Sequence, residues 1–114
     1  MRRAAIYARV SSEDQAKHGY SLPDQVAECE RRARELEAEP APPFIDDGIS
    51  GSTLDRPALQ RLRDEVEAGS FDLVITLDPD RLSRDLRHLL ALTDEIESSA
   101  QLVLLSAHLL QDFS

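Results

Sequence analysis

Three short segments of this 114-residue chain carry side chains that could do phosphoryl chemistry together. Arg9-Val10-Ser11-Ser12-Glu13-Asp14-Gln15 offers hydroxyls beside an arginine. Asp46-Asp47-Gly48-Ile49-Ser50-Gly51, with Arg56 shortly after, adds acids, a hydroxyl and a second cation. Asp78-Pro79-Asp80-Arg81-Leu82-Ser83-Arg84 places two arginines around an acid. Gathered at one place, they supply a hydroxyl nucleophile and cations for charge developing on a phosphoester. The acid can handle protons or orient the arginines. No histidine falls in the three segments. Arginines must then carry the stabilisation of a pentacoordinate phosphorus.

The elements that position these segments follow from apolar periodicity. Ala4–Val10 is short, apolar and strand-compatible. Ser21-Leu22-Pro23-Asp24 starts a helix, with Ser21 as N-cap, Pro23 in the first turn and Asp24 at N3. Leu22, Val26, Cys29, Ala33 and Leu36 share one helical face, and Pro40, Pro42 and Pro43 end that helix. Phe44–Asp46 is a short strand, followed by a loop from Asp47 to Asp55. Pro57 opens a second helix with Leu59, Leu62 and Val66 inward and Gly69 at its C-terminal cap. Phe71–Leu77 has the strongest strand pattern. A third helix turns Leu86, Leu89, Leu90, Thr93 and Ile96 to one face, and Gln101–Ser106 is the last strand. Strands alternating with crossover helices predict a three-layer α/β fold. Its sheet is mainly parallel, with four to five strands and helices on both faces. Ligands of such sheets bind beyond the strand carboxyl ends, where all three segments begin.

Composition sets the frame. Hydrophobic residues make up 41% and aromatic residues 4%, which suits one domain, residues 1–114, packed on aliphatic side chains. The net charge of −9 excludes a protein that coats nucleic acid by bulk charge. No apolar run approaches the roughly 20 residues that cross a bilayer, so no membrane partner is expected. Met1-Arg2-Arg3-Ala4-Ala5-Ile6 lacks the apolar stretch of a signal peptide. A single cysteine, Cys29, leaves neither an internal disulfide nor a cysteine-based zinc cluster, and the expected compartment is the cytoplasm. The charge is uneven: residues 1–12 carry three arginines and no acid, whereas residues 13–55 hold eleven acids against four cations. Arginine outnumbers lysine twelve to one, and guanidinium forks suit bidentate contact with carboxylate or phosphate.

The motifs carry a family resemblance. Tyr7-Ala8-Arg9-Val10-Ser11-Ser12-Glu13-Asp14-Gln15 resembles the nucleophile motif of serine site-specific recombinases, the resolvase/invertase group. Asp47-Gly48-Ile49-Ser50-Gly51, Arg56 and Asp80-Arg81-Leu82-Ser83-Arg84 match in the same order. Gly19-Tyr20-Ser21-Leu22-Pro23-Asp24-Gln25 looks like the large serine recombinases, which include phage integrases and transposon-borne enzymes. The resemblance spans nearly the whole chain. It implies a resolvase-like catalytic domain acting on double-stranded DNA through a covalent 5′-phosphoseryl link, with no metal and no nucleotide cofactor. Ser11 matches the nucleophile. Arg9, Arg56, Arg81 and Arg84 match arginines around the scissile phosphate, with Asp80 the acid beside them. Tyr7, Gln15 and Gln25 match supporting positions, and Asp47, Ser50 and Asp72 match further positions on the active-site side. The resemblance also implies self-association to dimers and tetramers in a longer protein of bacterial, phage or mobile-element origin. In that protein a long dimer helix and a DNA-binding region would follow residue 114.

One position departs from the family pattern. A lysine often stands on the helix before the third strand, where this chain reads Arg61-Leu62-Arg63-Asp64-Glu65-Val66-Glu67. Either Arg61 or Arg63 substitutes for it, or the role is unfilled.

Plainer roles compete at several positions. A serine at a strand end is usually a turn cap, and only the flanking motif reverses that for Ser11. Arg81 and Arg84 could pair with Asp80 and Asp85 as a surface network worth little. Cations beside a positive helix start are poorly placed, however, unless an anion binds there. Asp72 reads equally well as an edge-strand residue. Cys29 reads as core, and His18, His88 and His108 show no ligand spacing. Two other function classes stay open. One is a non-catalytic multimerisation or regulatory module that keeps the recombinase fold. The other is a phosphate- or nucleotide-binding α/β domain of another class, disfavoured by the lack of a glycine-rich strand–helix turn.

Overall fold

β1 (Arg2–Val10) runs through the middle of the sheet, and Ala4 to Val10 are all buried. Such an unbroken apolar run marks a strand covered on both faces. In this computed structural model residues 1–11 and 21–106 are described. The remaining elements are α1 (Leu22–Glu35), β2 (Ala38–Pro40), β3 (Phe44–Asp47), α2 (Pro57–Glu67), β4 (Leu73–Thr76), α3 (Pro79–Leu82), α4 (Leu86–Glu97) and β5 (Gln101–Leu104). The five strands are paired in parallel. β2 and β3 lie end to end along one side of β1, at Arg2↔Ala38 and Arg9↔Asp46. β4 flanks the other side at Ile6↔Ile75, and β5 lies outside β4.

The alternation of side chains across β1 builds two cores. Ala4 and Ile6 pack with Cys29 and Ala33 of α1 and with Leu73 and Ile75 of β4. Ala5 and Tyr7 face the other way, onto Leu59 and Leu62 of α2, Ile96 of α4, and Val74. The three-layer α/β architecture expected from the sequence is the one observed. Ser21 caps α1 as expected, its hydroxyl accepting from the Asp24 N–H at 3.3 Å.

Three local expectations are corrected. The prolines do not end α1. It stops at Glu35, and Glu37 turns through the left-handed region (φ 58°) into β2, which the sequence did not suggest. Pro40 is tolerated because β2 is an edge strand with β1 on one side only. β4 is shorter than Phe71–Leu77. Phe71 lies before the strand and packs edge-on against Phe44, with ring centroids 5.9 Å apart. α4 is rotated from the expected face: Leu92 and Ile96 are buried with Leu89 against them, whereas Leu86 and Leu90 are 67% and 58% exposed. Its leucines fit two overlapping helical stripes. The bidentate Arg63–Glu95 pair, at 2.7 Å on both contacts, ties α4 to α2 in the observed rotation.

Candidate active site

All strands run the same way, so the segments after β1, β3 and β4 leave one edge of the sheet. β1 outruns β4 there: its register with β4 ends at Tyr7↔Thr76. The backbone N–H and C=O of Arg9 point to the side where a β4 residue would otherwise follow. Gln25 of α1 fills the gap with both ends of its amide. Its Oε1 accepts from the Arg9 N–H at 3.2 Å, and its Nε2 donates to the Arg9 carbonyl at 3.2 Å. Arg81 Nη1 donates to the same carbonyl at 3.1 Å. Ser11, directly beyond, is 4% exposed.

Two guanidinia lie buried under this edge. Arg9 donates from Nε to the Arg81 carbonyl (3.2 Å), from Nη1 to the Ile49 carbonyl (2.9 Å) and from Nη2 to the Asp80 carbonyl (2.9 Å). Asp80 Oδ2 stands 3.4 Å from Arg9 Nη2. Arg56 donates from Nη1 to the Arg81 carbonyl (2.9 Å) and from Nη2 to the Leu82 carbonyl. Both side chains are thus anchors for the carbonyl-rich end of α3, where cations are favourable. Burial pulls the Arg9 pKa below the usual arginine value, and the neighbouring Arg56 charge adds to this while Asp80 opposes it. An arginine remains protonated through such a shift.

Asp46 is the buried carboxylate of this cluster. It lies on β3, and Tyr7 donates its phenol proton to Asp46 Oδ2 at 2.7 Å. The same carboxylate accepts from the Ala58 and Leu59 N–H groups at 2.9 and 3.1 Å, capping α2. Arg56 occupies the N-cap position of α2 without capping it. The anion that offsets the helix start at Arg56 is therefore an internal carboxylate. Burial, above all, raises the Tyr7 pKa well beyond the tyrosine range and keeps the phenol a donor.

Arg81 and Arg84 reach toward the surface of the edge, with side chains 12% and 32% exposed, next to Asp80 at 45%. Arg84 Nε lies 3.2 and 3.3 Å from the two Asp80 carboxylate oxygens. Ser50 closes the preceding loop, its Oγ accepting from the Ser52 N–H at 3.1 Å and lying 2.8 Å from Ser52 Oγ. Asp47 is exposed at the end of β3.

The sequence-predicted residues therefore divide. Tyr7, Arg9, Ser11, Gln25, Asp47, Ser50, Arg56, Asp80, Arg81 and Arg84 all lie on the elements and loops of this one edge. Asp72 does not: it precedes β4 at the opposite end of the sheet, where its Oδ2 accepts from the Arg3 N–H at 2.8 Å. Gln15 lies outside the described residues. Neither candidate for the family lysine is bound into the cluster: Arg63 pairs with Glu95, and Arg61 lines an open pocket with Phe44, Asp64 and Glu65. Sequence reasoning placed Asp46, Gly51 and Ser83 inside these segments but gave none of them a role of its own. Asp46 had a signal, since strand alternation puts it on the same face as Phe44. Among the described residues, no group of three or more His, Cys, Asp or Glu side chains could hold a metal ion.

Two buried guanidinia thus lie under the strand-end edge of an α/β domain, with Ser11, Arg81 and Arg84 at the same edge. Residues 4–113 match the family model for Resolvase, N terminal domain, and the chain belongs to that family. A Bacillus subtilis (strain 168) protein provisionally named a DNA recombinase is 44% identical over 92 residues, which are 81% of this chain and 18% of that relative's length. The crystal structure of the N-terminal catalytic domain of TP901-1 integrase matches with a TM-score of 0.84 at 33% identity, covering 93% of this chain and 79% of that one. The C-terminal catalytic domain of ISC1926 TnpA, an IS607-like serine recombinase, matches with a TM-score of 0.79 at 27% identity, covering 97% and 77%.

Proposed function

We propose that this chain is a catalytic domain that cleaves and rejoins DNA at specific sites, with Ser11 as the nucleophile. The Ser11 oxygen attacks a backbone phosphorus and gives up its proton. The bond from phosphorus to the 3′-oxygen breaks, and that oxygen takes a proton to leave as a 3′-hydroxyl. The product is a 5′-phosphoseryl ester. Attack by a 3′-hydroxyl reverses the sequence and conserves the bond energy, so no ATP is required. Arg81 and Arg84 stabilise the charge that develops on the phosphorane. Arg9 and Arg56 hold the α3 carbonyls and so place Arg81, and Tyr7, Asp46 and Gln25 hold those two arginines and their backbone. Asp80 orients Arg84. The observation that carries this reading is the placement of Ser11 two residues past Arg9, whose buried guanidinium fastens the Asp80–Arg84 segment to the same strand end.

DNA is the proposed substrate, and dimers or tetramers of a longer polypeptide are the proposed working form. A nicked or suicide DNA substrate presented to that form tests the chemistry. A covalent protein–DNA adduct is expected from the native sequence and none from Ser11→Ala; an adduct with Ser11→Ala would remove Ser11 as nucleophile. One observation favours a second reading, a non-catalytic multimerisation module: Arg63 pairs with Glu95 and Arg61 lines a pocket with Phe44, Asp64 and Glu65, so neither stands in the cluster in place of the family lysine. Complete absence of adduct from the native sequence would select that module.

A further inference from the structure

Gly48, Gly51 and Gly69 are the described glycines, and Gly51 differs from the other two. Gly48 and Gly69 have positive φ and open space around them. Gly51 has no such backbone requirement. What it lacks is room. A Cβ at this position would lie 2.7 Å from Arg9 Nη2, 2.9 Å from Arg9 Cζ and 3.2 Å from Arg84 Cγ. The tip of an arginine usually swings away from such an intrusion at little cost. Here it cannot, because the Arg9 guanidinium is fully buried and held by the Arg81, Ile49 and Asp80 carbonyls. The Gly51 carbonyl also accepts from the Arg84 N–H at 3.0 Å and from Ser83 Oγ at 3.4 Å. One residue therefore touches the Arg9 guanidinium with its Cα and docks the backbone that carries Arg84 with its carbonyl.

We propose that Gly51 is the positioning residue that sets the spacing between Arg9 and Arg84. The missing side chain lets the loop after β3 lie flat on one guanidinium while it anchors the segment bearing the other. The role of this spacing in DNA cleavage rests on the function proposed above, whereas the spacing itself does not.

Gly51→Ala tests the idea with two readouts on this chain and one on DNA. In nitrogen-15 NMR spectra, the Arg9 Nε–H resonance is expected to shift or broaden while most backbone amides stay in place. In denaturant unfolding, Gly51→Ala is expected to lower the midpoint in the native background. It should lower it much less in an Arg9→Met background, where the guanidinium is gone, the aliphatic stem remains and only the 3.2 Å approach to Arg84 Cγ is left. This non-additivity is the mark of direct coupling, which a general loss of loop structure would not produce. In the covalent adduct assay, the rate is expected to fall about 100-fold, the scale of an ångström-level misplacement. An unmoved Arg9 resonance, or an equal midpoint drop in both backgrounds, would overturn the proposal. If the native protein forms no adduct while the resonance and the cycle behave as stated, the cleavage reading fails and the spacing role stands.

Discussion

Gln25 grips Arg9 by its backbone: one amide side chain satisfies both the N–H and the C=O of the residue two positions before Ser11, each at 3.2 Å. In effect a helix side chain replaces the missing residue of β4. Gln25→Ala would strand the buried Arg9 N–H and leave the Arg9 carbonyl to Arg81 alone, a cost of about 1–3 kcal/mol. Gln25→Glu loses the donor to the Arg9 carbonyl and places a carboxylate where burial is complete. Both variants are expected to lower the urea midpoint, and the adduct rate should fall with them.

The Tyr7–Asp46 bond can be separated from the capping of α2. Tyr7→Phe removes the phenol but leaves Asp46 its two backbone N–H donors and Arg56 its carbonyl partners. A loss of about 1 kcal/mol is expected. Asp46→Ala removes the cap and the acceptor of the buried Tyr7 phenol together, and about 2–4 kcal/mol is expected from a lost cap plus a buried donor left unsatisfied. Chemical unfolding of the two variants side by side checks the order, and an equal loss would refute the division of roles.

Arg63 and Glu95 predict an acid dependence. The hydrogen bond from Arg63 holds the Glu95 carboxyl below its ordinary value. A depressed carboxylate pKa adds stability above the unfolded value, near pH 4.3, and that stability is lost as pH falls through the folded value. Both side chains are partly exposed, so solvent screening limits the contribution at neutral pH to about 1 kcal/mol or less. Glu95→Gln should therefore flatten the fall in stability below about pH 4.3 and change little at pH 7. Melting curves from pH 3 to 7, compared with the native chain, measure this.

Cys29 should be chemically silent in the folded chain. Its thiol is buried and pushed up to about 12, chiefly by burial, with Glu28 and Glu30 adding to the shift. Alkylation at pH 8 is expected to track unfolding, whereas fast labelling of the native chain would contradict the packing of α1 on the sheet.

The isolated chain should bind DNA weakly, since a net charge of −9 opposes the phosphate backbone and the cations are few and local. Anisotropy titrations with duplex DNA at physiological salt are expected to show no tight, site-specific complex. Sub-micromolar, sequence-specific binding would refute this.

The sequence by itself determined the elements and the edge on which chemistry could gather. The unbroken apolar run of β1, the Ser21 cap and Pro57 at the start of α2 are local signals, and parallel strands follow from the helices between them. Ser11, Arg81 and Arg84 were legible for the same reason: loops after parallel strands leave a common edge. Only the tertiary structure decided what depends on partners distant in sequence. Overlapping leucine stripes on α4 are equivalent until α2 supplies Arg63. Asp72 looks like a site residue until the sheet places it at the far end of β4. Arg9 and Arg56 read as cations for a phosphate, and only the fold shows that both also donate to the carbonyls of α3. Residue type limits what a side chain can bind. Burial and register then choose among those partners, because leaving a buried donor without an acceptor is costly.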